Sequence, residues 1–149
     1  MNIFPSSILS TSEKIKMSSM EKKGYKDILF DYKKKQIVVR DGKLLTATKT
    51  EQLQQWLYLL INTEVGKYKV YENNEFGIIF LYEMRGKEYY TSGFTIASIK
   101  DELTEKILKH HLVDEVVDIQ IEKNFNTLTI NIVLSVDNEI VESEVDVDV

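Results

Sequence analysis

Hydrophobic residues recur every three to four positions in two stretches of the chain, and this spacing predicts two amphipathic helices. The first helix begins after Thr48, which forms a capping-box pattern with Glu51, and ends near Asn62. The second helix spans about Thr95 to His111. The apolar face of the first helix contains Leu53, Trp56, Leu57 and Leu60. The apolar face of the second helix contains Ile96, Ile99, Leu103 and Ile107.

Strict alternation of apolar and polar residues predicts β-structure in the C-terminal part of the chain. Residues 117–121 and 128–136 alternate on either side of a polar turn, Asn124-Phe125-Asn126, which is typical of an antiparallel hairpin. A second turn, at Asp137-Asn138, leads toward residues 145–149, which alternate again. The residues of the first of these strands that we expect on its apolar face are Val117, Ile119 and Ile121.

Shorter elements are expected in the first half of the chain. One short strand contains Tyr25, Ile28 and Phe30, and a second spans residues 36–40. Residues 67–71 are expected to form another short strand. For residues 76–82 a strand and a helical turn are both compatible with the pattern, because short apolar runs do not distinguish them.

This order of elements predicts a single α+β domain, in which two amphipathic helices pack on an antiparallel or mixed β-sheet that includes a C-terminal β-hairpin. The length of 149 residues is typical of one domain. We expect a flexible N-terminal arm at residues 1–22, because this stretch is Ser-rich and has little periodicity. The α+β domain is expected at residues 23–141, followed by an acidic C-terminal tail at residues 142–149.

Charge is distributed unevenly along the chain. Residues 1–49 contain 11 Lys and Arg against 5 Asp and Glu, whereas residues 137–149 contain six acids and no Lys or Arg. Opposite charges at the two ends favour head-to-tail contacts between subunits, and an acidic tail also increases solubility. Both interpretations remain open from the sequence.

Several classes of function are disfavoured by the composition. The absence of cysteine excludes disulfide bonds and thiolate metal sites. The longest apolar run, residues 56–61, is far shorter than the roughly 20 residues of a membrane span. No glycine-rich phosphate loop or nucleophile elbow is present, so we expect no cofactor and no catalysis. His110 and His111 are adjacent on the second predicted helix and are expected to diverge rather than share a metal ion.

A basic segment at Lys33-Lys34-Lys35 lies close to Tyr25, Phe30 and Tyr32. Basic residues interleaved with aromatic ones can follow a phosphate backbone and stack on bases. The sequence pI of about 5.1 and the position of the lysines between two predicted strands favour a charged turn instead. We therefore expect no nucleic-acid partner.

The segment from Leu60 to Gly77 has a characteristic order of residues. Leu60 and Asn62-Thr63-Glu64 end the first helix, Tyr68 and Tyr71 follow, and Phe76-Gly77 closes the segment. In this order the chain resembles the XkdS-like family, the small baseplate wedge proteins of PBSX-type contractile phage tails. That family is itself similar to the sheath initiators of larger contractile tails. The similarity extends over roughly residues 28–141.

The resemblance implies a structural, non-enzymatic protein of a phage tail or a phage-tail-like bacteriocin. Six copies are implied at the baseplate around the tail tube, assembled in the bacterial host cytoplasm without membrane insertion. The implied partners are the sheath protein, other wedge proteins, and tube or hub proteins. Sheath initiators usually carry Gly-Glu-Arg in this loop, whereas here Gly66 is followed by Lys67. Pairing of Glu64 with Lys67 or Lys69 is therefore expected instead.

The resemblance also implies that the protein initiates the sheath by strand exchange. A free edge at residues 128–136 and a free strand at residues 145–149 are the predicted elements, and the acids at 144, 146 and 148 would keep that strand unpaired before assembly. The residues that we expect at partner contacts are Thr63, Glu64, Tyr68, Tyr71, Phe76, Gly77, Leu128, Ile130, Ile132, Leu134, Val145 and Val147.

An alternative function is a tail-associated, peptidoglycan-cleaving enzyme that uses Glu64 or Glu75 as its acid. Such an enzyme needs two carboxyl groups at a defined separation in one cleft. Acidic residues are so frequent in this chain, 24 of 149, that clusters of them arise without function. Solvated glutamates are the favoured interpretation.

Overall fold

The computed structural model of the protein describes residues 27–84 and 93–149. The chain divides into two compact units, Met1–Ala47 and Thr48–Val149. The predicted N-terminal arm at residues 1–22 and the contribution of Tyr25 to the first strand lie outside the described residues.

The described part of the first unit consists of two very short β-hairpins. Strand β1 (Phe30–Asp31) pairs with β2 (Gln36–Ile37), and β3 (Val39–Arg40) pairs with β4 (Lys43–Leu44). The predicted strand at 36–40 is therefore interrupted at Val38, whose N–H donates to the Leu29 carbonyl at 3.0 Å. The three lysines at 33–35 lie in the turn between β1 and β2.

Helix α1 (Lys49–Ile61) opens the second unit and matches its prediction closely. The Thr48 side chain accepts a hydrogen bond from the Glu51 N–H, and a Glu51 carboxylate oxygen accepts one from the Thr48 N–H at 2.6 Å. This reciprocal capping box satisfies two N–H groups at the start of the helix. Asn62 caps the other end, as predicted.

The segment after α1 differs from its prediction. Lys69–Tyr71 forms a turn of 3-10 helix rather than a strand, because the N–H of Tyr71 donates to the Tyr68 carbonyl at 2.9 Å. Helix α2 (Phe80–Glu83) follows, so the helical turn is the correct alternative for the second half of the 76–82 run. Helix α3 (Gly93–Leu108) ends three residues before the predicted end at His111.

Three ten-residue strands form an antiparallel sheet in the order β5-β6-β7, with β5 at Glu115–Asn124, β6 at Thr127–Val136 and β7 at Glu139–Asp148. The predicted hairpin and both turns are confirmed. A β-bulge between Val116 and Asp118 shifts the register of β5. Val117 is consequently exposed, and its predicted place on the core face is wrong.

Helix α1 packs against β7 and helix α3 packs against β5, which confirms the α+β class. The ion pair between Lys49 and Asp137 links the start of α1 to the turn between β6 and β7. Among the described residues, no helix is long and apolar enough to cross a membrane. The fully buried core side chains include Leu53, Leu57, Leu60, Ile61, Ile78, Leu81, Ile99, Leu103, Ile107, Leu128, Ile130 and Ile132.

Candidate functional site: a braced connecting segment and an open sheet edge

Residues 62–77, which we call the connecting segment, are tied to the end of helix α1. The Thr63 hydroxyl donates to the Leu59 carbonyl at 2.6 Å, and the Thr63 carbonyl accepts from the Ile78 N–H at 2.9 Å. Glu64 and Ile78 form an isolated parallel β-bridge. The two ends of the connecting segment are thereby held together, and the residues between them form a closed loop.

Two side chains of helix α3 brace the far end of this loop. Both Glu102 carboxylate oxygens accept backbone hydrogen bonds, from the Ile79 N–H at 2.7 Å and from the Phe80 N–H at 2.8 Å. One turn further along α3, the Lys106 ammonium donates to the Glu75 carbonyl at 2.5 Å. The carboxylate satisfies N–H groups at the start of α2, where negative charge is favourable.

An aromatic cluster fills the space under the connecting segment. The Trp56 ring lies 4.4 Å from the His110 ring and 6.2 Å from the Phe76 ring, measured between ring centroids. Phe76 in turn lies 4.7 Å from Tyr71. Packing within the chain therefore accounts for the aromatic side chains at Phe76 and Tyr71. The sequence predicts that both residues contact a partner.

His110 and His111 lie beyond the end of α3, where their rings stack at 4.7 Å with an angle of 21°. The predicted divergence of the two rings is wrong, because neither residue is part of the helix. His110 Nδ1 accepts a hydrogen bond from the Leu112 N–H at 3.2 Å, which leaves the proton of the neutral ring on Nε2. Burial, and secondarily the neighbouring His111, lower the pKa of His110 below its ordinary value of 6.5.

This lowered pKa gives a testable dependence of stability on pH. The unfolded chain binds a proton at His110 more readily than the folded chain, so the free energy of unfolding should fall as the pH drops below 6.5. Denaturant unfolding at about pH 7.5 and pH 5.5 measures this loss, to which carboxylates also contribute. In His110→Phe, which keeps an aromatic ring beside Trp56, the loss should be smaller than in the wild type. An equal loss in both proteins would show that His110 does not contribute.

Residues 66–70 and 72–75 of the connecting segment are exposed. Glu64 pairs with Lys67 at 3.6 Å, as expected, and Tyr68 is exposed. Thr63 and Gly77 are buried. Glu75 is exposed and Glu64 is ion-paired, so neither has the apolar enclosure that favours a carboxylic acid acting as a proton donor.

The second candidate surface is the outer edge of β7. Strand β6 lies at the centre of the sheet, so its backbone groups already pair with both neighbours, and the predicted free edge at 128–136 is wrong. Residues 145–148 belong to β7 and pair with β6. The predicted free strand is therefore already part of the sheet, and β7 supplies the edge.

Alternate residues of an edge strand direct their backbone groups toward the neighbouring strand and away from it. The Val149 N–H donates to the Asn126 carbonyl at 2.7 Å, so this odd-numbered position faces β6. The Glu142 carbonyl instead accepts from the Gln54 side chain of α1 at 2.9 Å, so the even-numbered positions face outward. Within residues 27–84 and 93–149, no strand pairs with the part of this edge that runs along Glu144, Asp146 and Asp148.

The sheet face that points away from the helices is acidic. Residues directly opposite each other in the three strands share a face, and each of these rows carries acids. A shallow depression of about 400 Å³ lies on this face beside Asp118 and Glu142. The acids on this face are Asp118, Glu122, Glu142, Glu144, Asp146 and Asp148.

The sequence model of the contractile injection system sheath initiators matches residues 26–139, which is most of the chain. The protein belongs to the contractile injection system sheath initiator family. No curated protein matches the chain. Membership assigns this sheath initiator a structural role in a contractile tail, with sheath and baseplate components as its partners.

Three side chains that organise this sheath initiator were not anticipated from its sequence. Gln54, Glu102 and Lys106 all lie on polar helix positions, where solvation is the usual expectation. The four-residue spacing of Glu102 and Lys106 places both on one helix face, and this is the one local signal that they share a role. Among the described residues, no cluster of His, Asp and Glu is arranged to bind a metal ion.

Proposed function

We propose that this protein initiates the contractile sheath by accepting a strand of a sheath subunit along the outer edge of β7. The observation that carries the proposal is the open run from Glu144 to Asp148, which ends a regular ten-residue strand. An added strand would form main-chain hydrogen bonds with outward-facing N–H and C=O groups, as in other cases of β-augmentation. Five residues of strand span about 17 Å.

The opposite edge of the sheet is less suited to this role. The bulge between Val116 and Asp118 interrupts the regular backbone of β5 near its beginning. Bulges twist an edge and commonly protect it from unwanted pairing. No such interruption occurs in the pairing of β7 with β6, which is continuous from Glu139 to Asp148.

Charge supports a specific kind of incoming strand. Glu144, Asp146 and Asp148 place carboxylates on one face along the open edge. These charges disfavour pairing of β7 with the β7 edge of a second copy, because like charges would lie side by side. A strand with Lys or Arg at alternate positions would be favoured, because it places opposite charges beside the acids.

We infer that the protein is an XkdS-like wedge component of a PBSX-type phage or bacteriocin tail, present in six copies around the tube and assembled in the host cytoplasm. Contacts with other wedge proteins and with tube or hub proteins would use Glu64 and Tyr68, the more exposed contact residues of the connecting segment. Family membership supports the sheath-initiating role on which this assignment rests.

Deletion of residues 142–149 would not test strand addition cleanly. Val145 and Val147 are 2% and 4% exposed and belong to the core, so the truncation would remove buried side chains. The proposed boundary at residue 142 also falls inside β7. Substitutions that alter the outer edge alone are needed.

Proline at position 144 provides such a substitution. The N–H of Glu144 faces outward, so Glu144→Pro removes a donor for the added strand while the pairing with β6 is retained. We expect Glu144→Pro to fold, with a modest decrease in melting temperature, and to abolish sheath assembly when it replaces the wild type in tail production. Circular dichroism and electron microscopy of the particles provide the two measurements.

Ser143→Pro is the matched control. The N–H of Ser143 faces β6, so proline there removes a hydrogen bond within the sheet and should destabilise the protein by about 3 kcal/mol or more. Folded Glu144→Pro that still yields tails with complete sheaths would rule out strand addition at this edge.

A further inference from the structure

The turn between β5 and β6 carries a side chain that the fold does not use. Asn124 pairs with Thr127, so Phe125 and Asn126 form a two-residue loop at the end of the sheet. The Phe125 side chain is 96% exposed, the highest value among the large hydrophobic residues that the structure describes as exposed. Its ring therefore gains almost nothing from packing against the part of the chain that the structure describes.

The backbone at Phe125 is also unfavourable for this residue. Its φ is +53°, in the left-handed region, whereas Asn126 is not among the residues with positive φ. A two-residue hairpin with positive φ only at its first position favours glycine there. A bulky side chain in this region is uncommon and costs conformational energy.

The other tight turn of the same sheet provides an internal comparison. Between β6 and β7, Asp137 and Asn138 have φ values of 51° and 64°, and both residue types tolerate this region well. The chain thus uses suitable turn residues at one end of the sheet and an exposed phenylalanine at the other. Folding does not account for this choice.

We propose that Phe125 is an anchor residue that inserts into an apolar socket on another protein of the tail. This inference rests on the assembly role proposed above and adds a second contact point to it. Exposed aromatic side chains that fill a partner pocket dominate the binding energy of many interfaces. The cost of holding Phe125 in its turn is offset when its ring leaves water.

Charge near the tip indicates the chemistry of the socket. Asn124, Thr127 and Asp148 form the row of side chains beside the turn, and Glu122, Thr129 and Asp146 form the next row on the same face. The acidic side chains are exposed, and the second row is about 7 Å from the first. A socket rimmed by Lys or Arg complements this arrangement, whereas an anionic membrane surface would be repelled.

Replacement of Phe125 by glycine separates folding from binding. Phe125→Gly relieves the backbone strain, so its melting temperature should equal or exceed that of the wild type. Binding to the partner should nevertheless weaken by roughly thirtyfold or more, the loss typical of a central anchor. Phe125→Leu, which keeps an apolar side chain, should retain more binding than Phe125→Gly.

Asn138→Gly is the matched control at the opposite turn and should leave sheath assembly unchanged. A photo-crosslinking phenylalanine analogue at position 125, incorporated into whole particles, identifies the socket directly. Cross-links to a sheath or baseplate protein support the proposal. Cross-links to lipid or to a second copy of this chain, or normal assembly of Phe125→Gly particles, would overturn it.

Failure of this inference is distinguishable from failure of strand addition. If the proposed Phe125 contact is wrong and strand addition is correct, particles with Phe125→Gly assemble normally while particles with Glu144→Pro do not. If only strand addition is wrong, Glu144→Pro assembles normally while Phe125→Gly does not. Each variant therefore tests a separate contact on the same sheet.

Discussion

Replacing Gly77 with alanine should destabilise the second unit by about 3 kcal/mol or more, because the new methyl group has no room. A Cβ atom at this position would lie 2.5 Å from the Thr63 carbonyl oxygen and 3.1 Å from the Val65 nitrogen. Both are backbone atoms of the same closed loop and cannot rotate away. The φ of Gly77, +114°, is also one that residues with a side chain rarely adopt.

Gly66→Ala separates the two causes of this effect. Gly66 also has a positive φ, +76°, but a Cβ atom there meets nothing within 4 Å. We expect this control to cost about 1 kcal/mol, from backbone strain alone. Denaturant unfolding of both variants measures the difference, and similar losses in the two would show that the close approach of residues 63 and 77 is not important.

Replacing Glu102 with glutamine should destabilise the protein by about 2 kcal/mol. The Glu102 carboxylate accepts two backbone hydrogen bonds at the start of α2, and charge-assisted bonds of this kind are stronger than neutral ones. Glutamine has nearly the same shape but offers one carbonyl oxygen and no charge. One of the two N–H groups would then face an amide nitrogen.

Glu105→Gln on the same helix is the control for Glu102→Gln. Glu105 pairs with Lys109 at 3.2 Å on the surface, with both side chains more than half exposed. Such pairs contribute little, so the loss should stay below about 0.5 kcal/mol. Hydrogen exchange would locate the effect: amides of residues 79–84 should exchange faster in Glu102→Gln and not in Glu105→Gln. Equal exchange in the two variants would contradict the bracing role of Glu102.

Local sequence patterns correctly predicted the helices and strands that are determined by neighbouring residues. The Thr48 and Glu51 capping box and the apolar stripe from Leu53 to Leu60 are both properties of neighbouring residues, and α1 has the predicted boundaries. The alternation in residues 128–136 likewise predicted β6. Alternation says which residues share a face, but it says nothing about which strand is central, because strand order depends on pairing between distant segments.

Long-range contacts explain the incorrect and missing predictions. Residues 67–71 have a strand-like composition, but no strand in the described part of the chain pairs with them, and local 3-10 hydrogen bonds form instead. The bulge that exposes Val117 arises from pairing with β6. The packing of Phe76 against Trp56 was not predicted, because the two residues are 20 positions apart in the sequence and no local pattern links them.

The hydrogen bond from Gln54 to the Glu142 carbonyl limits where an added strand could lie along β7. The Glu142 carbonyl is the outward-facing acceptor at this position of β7, and Gln54 already occupies it. Any strand added along β7 would therefore have to end on the C-terminal side of Glu142. A slip of one residue would exchange the two faces of the added strand, and a slip of two would run into this glutamine. If a sheath strand adds along β7 as proposed, helix α1 would act as a physical stop that fixes where along β7 that strand ends.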